Sequence, residues 1–112
     1  MTRTMAEEKT YENKIKKYIK DVGGYYVKYH GNKFSTKGTP DLLVCIKGHF
    51  LAIEVKAEDG IPTKLQLDKI DDIRKAGGLA FVAYPSGWER LKAIIDGLLI
   101  DKFNKEEEVI LK

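Results

Sequence analysis

The segment Gly38–Lys56, GTPDLLVCIKGHFLAIEVK, holds two carboxylates and an ammonium at a spacing that suits phosphate chemistry. Glu54 and Lys56 lie two residues apart in an apolar run. On a β-strand they share one face, roughly 6–7 Å apart, while Leu51, Ile53 and Val55 line the other. Asp41 opens an earlier apolar run, and a tight turn at Lys47-Gly48 would fold it back opposite the end of the Glu54 strand. Two carboxylates so close repel each other unless a cation lies between them. Hard oxygen ligands with room for water suit magnesium, with manganese as a substitute. Such a cation polarises a phosphoryl oxygen and acidifies bound water. Lys56 could orient that water or stabilise the negative charge growing on a phosphate.

Each part has a plainer reading. Glu-x-Lys on one strand face is also a common solvent-side ion pair, worth at most about 1 kcal/mol. Asp after Pro is an ordinary turn residue. What favours chemistry is the combination: Asp41 entering one hairpin strand, Glu54 and Lys56 ending its partner, then a loop and a helix. Pro40 also holds Thr39 extended and brings no N–H of its own.

Further polar residues gain interest from position. Glu12 lies three and seven residues before Ile15 and Ile19, so on a helix it borders the apolar face and could point toward the same cation. A carboxylate in a first helical turn is also favoured by the helix dipole. Gln66 lies four and seven residues before Ile70 and Ile73 and faces inward too, although Thr63-Lys64-Leu65-Gln66 is equally a capping box. Lys33, Lys37 and Lys64 are candidate phosphate contacts. His30 reads as an exposed loop residue. Tyr25, Tyr29 and Phe34 have rings that could stack on unpaired bases, though Tyr25 and Tyr29 fit better as sheet packing.

The elements that must position these groups are legible as follows. Residues 1–9 read as a loose polar lead. Tyr11, Ile15, Tyr18, Ile19 and Val22 recur at helical spacing from Thr10 to Val22, and Gly23-Gly24 stops that helix. Tyr25 to Tyr29 is β-rich, and His30 to Pro40 is a loop. Leu42 to Ile46 reads as a strand buried on both faces, with Cys45 a buried thiol, and Phe50 to Lys56 as its hairpin partner. A helix from the Thr63 box to Ala76, a strand from Leu79 to Tyr84, and a helix with the stripe Leu91, Ile94, Ile95 and Leu98 follow. Ser86-Gly87-Trp88-Glu89 reads as a second capping box, with Trp88 packing at the start of that helix. Residues 101–112 read as a tail, an added strand or an oligomer contact. The order is α-β-β-β-α-β-α, an α/β fold with a mixed sheet flanked by helices.

The 112 residues make one domain with one core. No apolar run approaches the roughly 20 residues that span a bilayer, and MTRTMAEEKT has no signal-peptide core. The expectation is a cytoplasmic protein without membrane contact. A lone cysteine forms no internal disulfide, and one cysteine with two histidines makes a structural zinc site improbable. The net charge of +3 is modest, but from Thr10 to Pro40 seven lysines face only Glu12 and Asp21, a local +5. Such a surface suits a phosphate backbone, or is simply a solvated lysine-rich helix face.

Together the Gly38-Thr39-Pro40-Asp41 box, the Ile53-Glu54-Val55-Lys56 box and Gln66 resemble the PD-(D/E)xK nuclease superfamily. They are most similar to its VRR-NUC branch in the compact stand-alone form of phages, from about Tyr11 to Leu98. The resemblance implies a restriction-endonuclease-like core and a divalent metal held by Asp41, Glu54 and the Val55 carbonyl. It implies Lys56 as catalytic lysine and Gln66 as an accessory residue. Glu12 matches the acidic residue that related junction-resolving nucleases carry in their first helix. Relatives of this size are similar to Holliday-junction resolvases and tend to be homodimers. If phage-encoded, the protein would act in the host cytoplasm, in replication, repair or recombination. The expectation is therefore a metal-dependent endonuclease on branched DNA. A less selective nuclease targeted by a partner, a non-catalytic DNA-binding module, and a structural or inhibitory phage protein are the other readings.

Overall fold

The computed structural model describes residues 3–31 and 37–112, so Lys33 and Phe34 lie outside the described residues. Five strands form one sheet: β1 (Tyr25–Lys28), β2 (Leu42–Ile46), β3 (His49–Val55), β4 (Leu79–Ala83) and β5 (Ile110–Leu111). They lie side by side in sequence order. The pairs β1/β2 and β2/β3 are antiparallel, whereas β3/β4 and β4/β5 are parallel, so the sheet is mixed. Helices α1 (Arg3–Asp21), α2 (Lys64–Lys75) and α3 (Trp88–Leu99) flank it. The expected order holds, with β5 added from the C-terminal segment.

The hairpin turn at Lys47-Gly48 has both residues at positive φ, 51° and 82°. That twist matches the strands it joins and sets the register Leu42↔Ile53. Alternation then sorts the faces. Leu42, Val44, Ile46, Leu51, Ile53 and Val55 pack with Tyr11, Ile15 and Ile19 of α1 and Leu91, Ile95 and Leu98 of α3. On the other face Ala52, Ala80 and Val82 pack under Ile70 and Ile73 of α2. The result is three layers, with the main core between the sheet and the α1–α3 pair. Trp88 lies edge-on to Tyr11 and Tyr18 there, at the start of α3 as expected.

Four expectations are corrected. The segment before Thr10 is not a loose lead: α1 begins at Arg3. Met5 to Lys9 contains no Gly or Pro and favours helix. Cys45 is exposed, and so is Tyr25. The cluster under α2 takes in β3, β4 and Leu43 of β2, leaving Tyr25, Val27 and Cys45 exposed on the same face. Ser86 does not cap α3: residues Pro85–Gly87 form a short 3-10 turn without a side-chain cap. The Ser86 N–H instead donates to Glu58 Oε1 at 2.8 Å. Of the three readings of residues 101–112 the added strand holds, because Leu111 is buried and pairs with Ala83. No helix among the described residues is long and apolar enough to cross a membrane.

Candidate active site

The site forms at one end of β2 and β3. Continuing their register by one residue sets Asp41 opposite Glu54. Asp41 is fixed there because Val55 N–H donates to its Oδ2 at 2.8 Å. Pro40 is buried just before it. Gly38 has φ 84°, and a Cβ there would stand 2.7 Å from the Leu65 carbonyl oxygen. Only glycine lets this loop pass so close beneath the first turn of α2. The Gly-Thr-Pro-Asp box thus sets Asp41 and seats α2 together.

Glu54 is only 4% exposed. Gln66 Nε2 donates to its Oε2 at 3.2 Å, and Lys56 Nζ lies 3.7 Å from the same oxygen. Gln66 does both things its position suggested. Its Oε1 accepts from Thr63 N–H at 2.9 Å, and its own N–H donates to Thr63 Oγ1 at 3.1 Å, completing the capping box. The cap therefore fixes the amide whose other end holds Glu54. Burial, followed by the Asp41 charge, pushes the Glu54 carboxyl up to about 8, against the pull of Lys56. The two acids would share a proton or a cation.

Glu12 reaches this end of the sheet from the α1 side and is equally buried. Among the described residues it is joined to the Asp41–Glu54 pair by Lys28, whose Nζ lies 2.6 Å from Glu12 Oε1 and 3.3 Å from Asp41 Oδ1. Lys16 lies 2.9 Å from Glu12 Oε2, and Lys9 3.7 Å. Burial alone would raise the Glu12 carboxyl, but Lys28 and Lys16 hold it below its usual range. Among the described residues no three acidic, His or Cys side chains converge as a metal cage. The donor set fits a hard divalent ion held by two carboxylates, a backbone carbonyl and water.

The structure thus brings Asp41, Glu54, Val55, Lys56 and Gln66 together, with Glu12 one lysine away. Lys37 is exposed on the loop before Asp41. Lys64 is exposed at the start of α2 and pairs with Asp68 at 2.8 Å. His30 is exposed, as expected. Two residues were missed. Lys28 ends β1 on the face that packs against α1, and a lysine at an inward strand position was the available signal. Glu8 lies one helical turn before Glu12 and feels the charges of Asp41, Lys56 and Lys28; reading residues 1–9 as a lead hid it.

A mixed sheet between helices, with paired acids and a Glu-x-Lys at one end, defines a nuclease of restriction-endonuclease-like fold. The family model described as archaeal Holliday junction resolvase (Hjc) matches residues 4–110. The chain belongs to that family, a PD-(D/E)xK-type resolvase family that acts on DNA junctions. No curated protein matches the chain significantly.

Proposed function

We propose that the protein is a magnesium-dependent endonuclease that cuts branched DNA, four-way junctions above all, as a homodimer. It would serve replication, repair or recombination in the cytoplasm. The observation that carries this reading is the buried Glu54 facing Asp41, a pair whose charge calls for a cation, with Lys56 and Gln66 against it. Asp41, Glu54 and the Val55 carbonyl would hold the metal, which when bound supplies Lewis acidity toward a phosphoryl oxygen. Lys56 orients the attacking water and balances charge on the phosphate. Gln66 keeps Glu54 pointed at Asp41. Lys33, Lys37 and Lys64 would steer the DNA backbone.

The dimer reading is supported by the bare half of the sheet, where Tyr25, Val27, Cys45 and Phe50 expose an apolar surface on β1 to β3. Such patches mark contact sites, and paired incisions across a junction need two active sites. The likeness to the compact phage-type VRR-NUC form rests on the two sequence boxes and Gln66 alone, and bears on source rather than chemistry. The test is a panel of labelled four-way junction, flap, single-stranded and linear duplex DNA, with magnesium, manganese or chelator. Metal-dependent cutting of the junction in preference to the linear duplex is expected. Equal cutting of all would favour the less selective nuclease, and cutting of none the binding module.

A further inference from the structure

Lys28 leaves β1 on the α1 face of the sheet, opposite Leu42 and so next to Asp41. Its ammonium lies 2.6 Å from Glu12 Oε1 and 3.3 Å from Asp41 Oδ1. One positive charge therefore bridges carboxylates from two elements, the position that a metal ion takes between acidic ligands. Glu8 stands beside it, under the influence of Asp41 and Lys28. A cleft of about 230 Å³ lined by Met5, Glu8, Lys9, Glu12 and Lys28 opens on the Glu12 side of this bridge. Lys28 and Lys16 stand at ion-pair distance from the two Glu12 oxygens and balance its charge, although the buried Oε2 has no hydrogen bond of good geometry.

Resting on the metal reading proposed above, we infer that Lys28 is a positioning residue standing in for a second metal. Its ammonium fills the gap between Glu12 and Asp41, so the site takes one divalent cation, on the Glu54 side of Asp41. Glu12 then serves to hold Lys28. Asp41 is gripped on both oxygens, Oδ2 by the Val55 N–H and Oδ1 by Lys28, and is set in place before any metal arrives. A tethered ammonium cannot be diluted away, so this half of the site stays filled at any metal concentration.

The test titrates the full-length protein with manganese alone, reading stoichiometry by calorimetry and ion–ion coupling by electron paramagnetic resonance. The wild type is expected to bind one manganese per chain with the spectrum of an isolated ion. Lys28→Ala should bind two, with a spin-coupled spectrum, and Lys28→Arg one. Adding Glu12→Gln to Lys28→Ala should return the count to one. Lys28→Ser, which empties the same gap, carries the same expectation should the alanine variant not fold. Two ions in the wild type, or one ion in both Lys28→Ala and Lys28→Ser, would overturn the inference and leave the metal-dependent nuclease standing. No manganese bound by the wild type would overturn the metal reading and this inference with it.

Discussion

Glu54→Gln should make the metal-free protein more stable while destroying its activity. Below about pH 4.5, the ordinary value for this group, Glu54 is protonated in both the folded and the unfolded chain. Between pH 4.5 and about 8 the unfolded chain releases the proton and the folded chain keeps it. The folded state then binds more protons, so its stability falls as pH rises and the loss is complete above about 8. At about 1.4 kcal/mol for each tenfold change in acidity, the whole climb sets a ceiling of about 5 kcal/mol. Water entry and side-chain relaxation reduce this, and a gain of about 2 kcal/mol is the working expectation for the variant at pH 8.5. Glutamine keeps the shape, accepts from Gln66 and donates to Asp41. Urea unfolding in chelator, repeated from pH 4.5 to pH 8.5, would show the two proteins level at the acid end and diverging upward. Added magnesium should restore the wild type and leave the variant unmoved. A variant no more stable than the wild type at pH 8.5 would refute the claim that the Asp41–Glu54 pair is strained without its cation.

Gly38→Ala, with a Cβ 2.7 Å from the Leu65 carbonyl and φ at 84°, should cost about 1–3 kcal/mol. It should also slow cleavage by shifting Gln66, seen in paired unfolding and nuclease assays. Gly87→Ala would place a Cβ 1.9 Å from the Leu111 carbonyl oxygen, forcing β5 off β4. A loss of about 2 kcal/mol or more in urea unfolding is expected. Val27→Glu puts a charge on the bare half-sheet and should turn a dimer into a monomer in sedimentation. Cys45 should then alkylate faster than in the wild type, and unchanged mass and alkylation rate would locate the dimer contact elsewhere.

The pairing of Asp41 with Glu54 was legible because strand alternation and a two-residue turn leave little freedom in register. Gln66 was legible twice, as a cap and as an inward-facing amide, and the structure shows that one side chain does both. The lysines around Glu12 were not legible, because Lys28 arrives from a strand whose register with β2 depends on a long intervening loop. The same limit applies to Cys45. An apolar run alone does not show that the cover of α2 ends before Cys45 and β1. The added strand at Val109-Ile110-Leu111 was one of three readings, and the sequence did not choose between them because Gly87, which makes room for it, lies far away in sequence.

Single-turnover cleavage of a labelled four-way junction by wild type, Asp41→Asn and Lys56→Met, with magnesium and with chelator, tests the central claim most directly. The wild type should cut only with metal, and each variant should lose at least about 10³-fold in rate with its fold and junction binding intact. Cleavage that survives chelator, or that persists at near wild-type rate in either variant, would contradict the claim that Asp41, Glu54 and Lys56 form a metal-dependent nuclease centre.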